Sequence, residues 1–252
     1  MQFQNKTVLI SGGASGIGLL CGKSFAKEGA KIVLADVNPE ALEAAVNEIR
    51  EITPDVIGCV TDVRIYEQVV ACRDRAVEAF GSIDVLIPCA GGAEARILNA
   101  KGRFHQQPIE VLDFGIDLNL KGAVYFDHSV LPQMEKQKSG VIIHLGSITG
   151  EEGSDYNVAY AASKSALMNG VLKSLAAIGA RFGVRVCTVA PGPVLTRAAM
   201  ANMPTLLGRA AETQEIVDLI MYLASDKAAF ITGESILIDG GRHIMMNRLK
   251  QQ

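Results

Sequence analysis

Short apolar runs alternate with longer amphipathic stretches along most of the chain. A short continuous apolar run is typical of a strand buried on both faces, whereas the longer stretches repeat their apolar positions with helical spacing. The short runs predict seven strands, at residues 7–10, 31–35, 56–60, 84–87, 141–145, 184–189 and 235–238. The longer stretches predict a helix that ends at residue 27 and further helices at 39–51, 65–80, 108–135, 158–182 and 212–224.

This alternation predicts one α/β domain over residues 1–252. Apolar strands joined by right-handed helical crossovers form a parallel sheet with helices on both faces. We therefore expect a doubly wound, seven-stranded parallel sheet. Two long segments, 91–107 and 191–208, follow the fourth and sixth strands. Because ligands bind beyond the carboxyl ends of such strands, both segments are expected to form walls of a substrate pocket.

Composition narrows the class of protein. Apolar residues make up 49% of the chain, and its net charge of −3 gives no electrostatic reason to expect nucleic acid or an anionic membrane as partner. The five cysteines are scattered without a Cys-x-x-Cys pair, so we expect neither a disulfide framework nor a metal site. The first residues lack the apolar core of a signal peptide, and no apolar run is long enough to span a membrane. These features predict a cytoplasmic protein.

A glycine-rich turn joins the first predicted strand to the first helix. Glycine allows a tight turn and lets the backbone approach a pyrophosphate, and the start of a helix attracts phosphate groups. A flexible turn is the alternative, but the position between a strand and a helix favours a dinucleotide site. The turn residues expected to bind the cofactor are Gly12, Ser15, Gly16, Ile17 and Gly18.

Acidic residues follow the second and third strands. Asp36 ends the second strand eighteen residues after Gly18 (36 − 18), where a carboxylate is expected to bind the adenosine ribose hydroxyls. It would repel a 2′-phosphate, and neither Ser15 nor Val37 supplies a cation, so we expect NAD rather than NADP. The alternative for Asp36 is a helix N-cap or turn residue. Asp62 and Val63 are expected at the adenine edge, although a loop aspartate is often only solvated.

Tyr160 and Lys164 are four residues apart in a predicted helix, and therefore lie on one face of it. A cation beside a phenol favours the phenolate, so such a tyrosine can exchange a proton with an alcohol or a ketone. The alternative is a half-exposed tyrosine beside a solvated lysine. Ser147 follows the fifth strand, thirteen residues before Tyr160 (160 − 147).

The glycine turn, Asp36, Ser147 and the Tyr160/Lys164 pair occur in an order that resembles the short-chain dehydrogenase/reductase family, from about Lys6 to Gly241. This resemblance implies a single-domain Rossmann fold, a homotetramer and an NAD-dependent oxidoreductase. The resemblance also implies, from the position of Asn119, that this residue belongs to the catalytic residues together with Ser147, Tyr160 and Lys164. It also adds cofactor contacts at Ala90, Gly91, Pro191, Gly192, Val194 and Thr196. The family's Asn-Asn-Ala-Gly is here Pro88-Cys89-Ala90-Gly91, which is a departure.

The resemblance also implies roles for the catalytic residues. Tyr160 would be the general acid/base, and Lys164 would lower its pKa and bind the nicotinamide ribose. Ser147 would orient the substrate oxygen. Asn119 would hold a water that relays protons towards Lys164.

The substrate is predicted from polar residues near the expected pocket mouth. They favour a sugar, polyol or sugar acid, because hydroxyls left unpaired on burial are costly, although a solvated loop is the alternative. The set is Glu94, Arg96, Asn99, Lys101, Arg103, His105, Glu151, Glu152 and Asp155. A 3-oxoacyl thioester reductase or a hydroxysteroid dehydrogenase remains possible, as does a dinucleotide-binding regulator without turnover. The tail at 241–252 is expected to contact a neighbouring subunit.

Overall fold

Seven parallel strands form one sheet, in the order β3-β2-β1-β4-β5-β6-β7, in the described part of this computed structural model. The structure describes residues 1–249, with side chains as far as Met245. The strands are β1 (Thr7–Ser11), β2 (Lys31–Asp36), β3 (Val56–Val60), β4 (Val85–Pro88), β5 (Gly140–Leu145), β6 (Val184–Pro191) and β7 (Ser235–Ile238). The strand order reverses between β1 and β4, where ligand crevices form in such sheets. The sequence-based prediction of the sheet is confirmed.

Helices connect the strands and cover the sheet. They are α1 (Gly16–Lys27), α2 (Pro39–Arg50), α3 (Tyr66–Phe80), α4 (Glu94–Ile97), α5 (Ile109–Ile116), α6 (Gly122–Gln137), α7 (Thr149–Glu152), α8 (Val158–Met168), α9 (Gly170–Gly179), α10 (Thr213–Ala224) and α11 (Arg242–Leu249). No described helix is long and apolar enough to cross a membrane. The predicted tail contact at 241–252 includes residues 250–252, which lie outside the described residues, and it stays a prediction.

Two stretches that were predicted as continuous α-helices are interrupted in the structure. The stretch at 108–135 is divided by a π-helical turn, Asp117–Lys121, in which the Asn119 amide donates to the Gly115 carbonyl at 2.9 Å. The stretch at 158–182 breaks at Asn169, whose φ of −131° and ψ of −87° are not helical. Asparagine side chains compete for backbone hydrogen bonds, and helical periodicity does not reveal that competition.

The core lies on both faces of the sheet, as the doubly wound fold requires. Alternate residues of β1 point to opposite faces, with Ile10 on one and Leu9 on the other. Helices α1, α2 and α10 cover the first face, and α3, α6 and α9 cover the second. His144 in β5 is buried, and both Asp127 carboxylate oxygens lie 3.0 Å from its Nε2.

Candidate active site

A cleft of about 770 Å³ opens at the carboxyl ends of the strands and brings most of the predicted site residues together. These lining residues are Gly12, Ser15, Gly16, Ile17, Gly18, Asp36, Asp62, Val63, Ala90, Gly91, Ser147, Tyr160, Lys164, Pro191, Gly192, Val194 and Thr196. They come from the carboxyl ends of six different strands and the segments that follow them, so their convergence is a product of the fold rather than of local sequence. Asn119 lies behind the wall.

Backbone packing in the glycine turn leaves space only for glycine. A Cβ on Gly18 would lie 2.2 Å from the Gly12 carbonyl oxygen, and one on Gly12 would lie 2.8 Å from the Ala90 Cα. Helix α1 then begins at Gly16 without a side-chain cap from Ser15. Uncapped first-turn N–H groups and the positive end of the helix dipole favour a phosphate, so this turn fits the pyrophosphate of a dinucleotide.

Asp36 is held at the end of β2 by backbone donors. Its two carboxylate oxygens each accept one N–H at 3.1 Å, one from Ala14 and one from Asn38. Asn38, not Asp36, caps α2 by accepting the Ala41 N–H at 3.0 Å. The alternative of Asp36 as the helix N-cap is therefore wrong, whereas its role as a turn residue is seen in the bond from the Asn38 N–H. Asp36 also lines the cleft where an adenosine ribose would fit.

Asp62 and Arg64 form an ion pair at the same end of the cleft. The guanidinium Nη2 lies 2.5 Å from one carboxylate oxygen, and this pairing lowers the pKa of Asp62. The Arg64 guanidinium also lies 5.0 Å from the centroid of the Phe114 ring. Asp62 is thus an ordered part of the wall and not merely solvated.

Lys164 lies one turn beyond Tyr160 in α8 and is only 4% exposed. Its Nζ donates to the Leu145 carbonyl at 2.6 Å and lies 5.5 Å from the Tyr160 ring centroid. Burial disfavours the ammonium form and lowers the pKa of Lys164 to about 8. The alternative of a solvated lysine is therefore wrong.

Burial raises the pKa of Tyr160 above its ordinary value. The Ser147 hydroxyl and the nearby Arg197 and Arg96 lower this pKa, but burial outweighs them. The lowering of the Tyr160 pKa expected from Lys164 is therefore not observed, because burial of the phenol is the dominant effect. Burial thus favours the phenol form of Tyr160 over the phenolate.

Ser147 and Asn119 complete the surroundings of Lys164. Ser147, 8% exposed, accepts the Thr149 N–H at 3.1 Å and contacts the Tyr160 side chain. The Asn119 amide accepts the Gly92 N–H at 2.7 Å and donates to the carbonyls of Gly92 and Gly115 at 3.0 and 2.9 Å. Both amide hydrogens thus hold the backbone beside Lys164, and the water relay expected of Asn119 stays a prediction.

Glu94 is a functional residue whose place the sequence-based interpretation missed. It is 2% exposed, and its carboxylate accepts the N–H groups of Ala159 and Tyr160 at 3.0 and 3.1 Å. The carboxylate therefore caps the helix that carries the catalytic tyrosine, and burial raises its pKa. Asn157, which precedes α8, does not cap this helix. Its side chain accepts the Ala95 N–H at 3.2 Å instead, so the cap of α8 is supplied from elsewhere in the chain.

The remaining polar residues near the predicted mouth mostly lie outside the cleft. Nine residues were taken to favour a polyhydroxylated substrate, and of these Arg96 and Glu152 line the cleft. Glu152 is paired with Arg242 at 2.8 Å. The others, which the structure describes elsewhere, are Glu94, Asn99, Lys101, Arg103, His105, Glu151 and Asp155. Apolar side chains of Ile97, Met200 and Met203 line the cleft instead.

The described residues hold no group of three or more His, Cys, Asp or Glu side chains that could bind a metal ion. The cleft brings together the glycine turn, Asp36 and the Tyr160/Lys164 pair. Together these residues fit a nicotinamide dinucleotide laid across the carboxyl ends of the strands.

Comparisons with known proteins agree with this geometry. The family described as enoyl-(acyl carrier protein) reductase matches residues 12–243. The 3-oxoacyl-[acyl-carrier-protein] reductase of Thermotoga maritima is 34% identical, over 96% of this chain and 99% of that protein. The cis-4-hydroxycyclohexanecarboxylate dehydrogenase of Sinomonas cyclohexanicum is 32% identical, over 95% and 97%.

Solved structures give the same result at the level of the fold. The crystal structure of an NAD⁺-bound xylitol dehydrogenase superposes with a TM-score of 0.88 at 27% identity, over 96% of this chain and 100% of that one. The sequence relatives and the solved structure thus match nearly the whole chain. This protein belongs to the short-chain dehydrogenase/reductase family of oxidoreductases.

Proposed function

We propose that this protein is an NAD-dependent oxidoreductase that transfers a hydride between nicotinamide and a secondary alcohol or ketone. The observation that carries this proposal is the meeting of Ser147, Tyr160 and Lys164 in one cleft with the glycine turn. A dinucleotide-binding regulator without turnover predicts that a member of this set is missing, and none is.

The protein's own groups handle the substrate oxygen and its proton. A bound nicotinamide accepts or supplies the hydride at the carbinol carbon. In ketone reduction, Ser147 donates a hydrogen bond that orients the substrate oxygen, and Tyr160 gives it the phenolic proton. In alcohol oxidation, the same oxygen returns its proton to the Tyr160 phenolate. Lys164, held by the Leu145 carbonyl, places a cation beside the tyrosine and within reach of the ribose.

Asp36 supports NAD over NADP. Its carboxylate is oriented by two backbone N–H groups, and it would repel a 2′-phosphate. Arg64, the nearest cation that lines this end, is already paired with Asp62. The xylitol dehydrogenase with a similar fold was solved with NAD⁺, which is consistent with this preference.

The substrate class is a sugar, polyol or sugar acid in our first proposal. The second candidate is a 3-oxoacyl thioester, favoured by the 34% identity to the Thermotoga reductase. A hydroxysteroid is the third. We further propose that the protein acts as a homotetramer in the cytoplasm.

A substrate panel tests the proposal. Purified protein is mixed with NAD or NADP and secondary alcohols of each class, and reduced nicotinamide is followed by its absorbance. We expect turnover with NAD that exceeds turnover with NADP. Tight NADH binding with no turnover of any alcohol or ketone would instead support the regulator.

A further inference from the structure

Two arginines from separate segments of the chain line the cleft near Tyr160. Arg96 belongs to α4 in the segment 91–107, and Arg197 follows β6 in the segment 191–208. Both line the cleft, and both guanidinium groups are close enough to Tyr160 to lower its pKa. Two cations from separate segments thus converge on the reacting end of the site.

Neither guanidinium is engaged by a carboxylate among the described side chains. Arg197 donates only to the Met200 sulfur, at 3.6 Å. The other arginines of this region differ, since Arg64 pairs with Asp62 and Arg242 pairs with Glu152. The convergent arginines are therefore the ones available for a ligand.

The Arg96 guanidinium is folded back against the catalytic backbone. A Cβ added to Gly92 would lie 2.9 Å from its Nη2, and the N–H and carbonyl of Gly92 are the groups held by Asn119. A neighbouring Cβ on Gly91 would lie 3.7 Å from the Lys164 Nζ. Arg96 thus lies along the cleft wall next to Gly92, and it is exposed to solvent, where a ligand can reach it.

The acidic residues nearby are neutralised or turned away. Glu152 lines the same cleft but is paired with Arg242, and both side chains are mostly buried. The Glu94 carboxylate faces the first turn of α8. The substrate end of the cleft therefore carries an excess of positive charge, which attracts an anion.

We propose that Arg96 and Arg197 bind a carboxylate of the substrate, so that this protein oxidises hydroxy acids and reduces the corresponding oxo acids. This inference rests on the proposed oxidoreductase function and narrows its substrate class. Guanidinium groups bind carboxylates through paired, charge-assisted hydrogen bonds. Ile97, Met200 and Met203 would contact the carbon skeleton, which favours an acid with an apolar body over a neutral polyol.

Two matched pairs of probes test whether the substrate is recognised by its carboxylate. We would compare cis-4-hydroxycyclohexanecarboxylate with its uncharged carboxamide, and 3-hydroxybutyrate with its amide, using NAD and the whole protein. We expect each acid to exceed its amide in kcat/KM by about tenfold or more, the equivalent of one charge-assisted pair. The alternative anion, a phosphate, is tested with 4-hydroxycyclohexyl phosphate, and a preference for it would overturn the carboxylate assignment.

Arginine variants show whether these two residues are responsible. R96Q and R197Q should each raise the KM for the acids by about tenfold and leave the KM for the amides within about twofold of the wild type. Only the acids lose an ionic contact. The control is R181Q, which removes an exposed arginine outside the cleft. An equal rise in KM for acids and amides, or no rise for either, would overturn the proposal.

A binding measurement separates failure of this inference from failure of the proposed function. Each acid and amide is titrated into the protein–NADH complex, with nucleotide fluorescence as the signal. Tighter binding of the acids that disappears in R96Q and R197Q supports the carboxylate site even where no turnover occurs. Equal binding of acids and amides contradicts it, whatever the turnover. Absence of turnover with every probe counts against the oxidoreductase function alone.

Discussion

The two ends of the cleft are built in different ways. The cofactor end consists of backbone packing within a single β1–α1 turn, where Gly18 would clash with Gly12 if it carried a Cβ. The substrate end consists of side chains that meet across long separations in sequence, such as Glu94 with Tyr160 and Glu152 with Arg242. The glycine turn is thus a local feature of the chain, whereas the substrate end depends on contacts between distant segments.

This difference implies that the two ends can be damaged separately. Changes in the glycine turn or at Asp36 should alter nucleotide binding. Changes at Glu94 should alter turnover while nucleotide binding persists. The following predictions test that separation, from the largest expected effect to the smallest.

The largest effect is expected for Gly18→Ala. The added Cβ would lie 2.2 Å from a backbone oxygen, which cannot move without reshaping the turn that receives the pyrophosphate. We expect NADH affinity, measured by fluorescence titration, to fall by about 100-fold, equal to roughly 3 kcal/mol. Gly170→Ala is the control, because a Cβ there meets nothing within 4 Å. Comparable NADH binding by both variants would contradict the close-approach argument.

Asp36→Asn should change the choice of nucleotide. It keeps one of the two oxygen acceptors, sets an amide nitrogen against the other backbone N–H, and removes the negative charge that would repel a 2′-phosphate. We expect the ratio of kcat/KM for NADP to that for NAD to rise by about tenfold, the equivalent of roughly 1.4 kcal/mol. An unchanged ratio would show that another group sets the preference.

Glu94→Gln should weaken the cap on the catalytic helix. The amide nitrogen faces one N–H that the carboxylate formerly accepted, so the start of α8 and the Tyr160 side chain shift. We expect kcat to fall by about tenfold, as for the loss of one charge-assisted hydrogen bond, with NADH affinity unchanged. The control is Asp113→Asn, which removes an exposed carboxylate from α5. A large loss of NADH affinity would contradict the separation of the two ends.

Lys164 should make folding stability rise with pH. Its folded-state pKa of about 8 lies below the ordinary value of 10.5, so between these values the unfolded chain binds the extra proton. Stability then increases with pH, by about 1–2 kcal/mol between roughly pH 7.5 and 9.5. Urea denaturation of the wild type and of Lys164→Met at both pH values isolates the contribution of Lys164 to the change in unfolding free energy with pH. A difference between the two proteins that does not change with pH would refute the lowered pKa.

The sheet and the cofactor end were largely predictable, because both depend on local pattern. Seven apolar runs predicted seven strands, and the Gly12–Gly18 turn lay between a strand and a helix. The substrate end was not predictable to the same degree. Glu94 was expected at the pocket mouth, yet it is buried beneath α8 in a contact that spans 66 residues.

The continuity of helices was also beyond the reach of local pattern. Asn119 was recognised by its motif, but the π-helical turn around it depends on hydrogen bonds to Gly92, in another segment. The net rise in the pKa of Tyr160 depends on burial, which no spacing of residues reveals. Sequence thus predicted which side chains line the cleft better than it predicted their burial and hydrogen bonds.

Tyr160→Phe tests the central claim most directly, since it removes one hydroxyl and keeps the ring. The measurement is single-turnover reduction of a ketone by the protein–NADH complex, followed by loss of reduced nicotinamide, alongside an NADH titration. Loss of the general acid should slow the hydride-transfer step by about 10²–10⁴-fold, with NADH affinity within about threefold of the wild type. A variant that binds NADH and still reduces the ketone at a rate near that of the wild type would contradict the account.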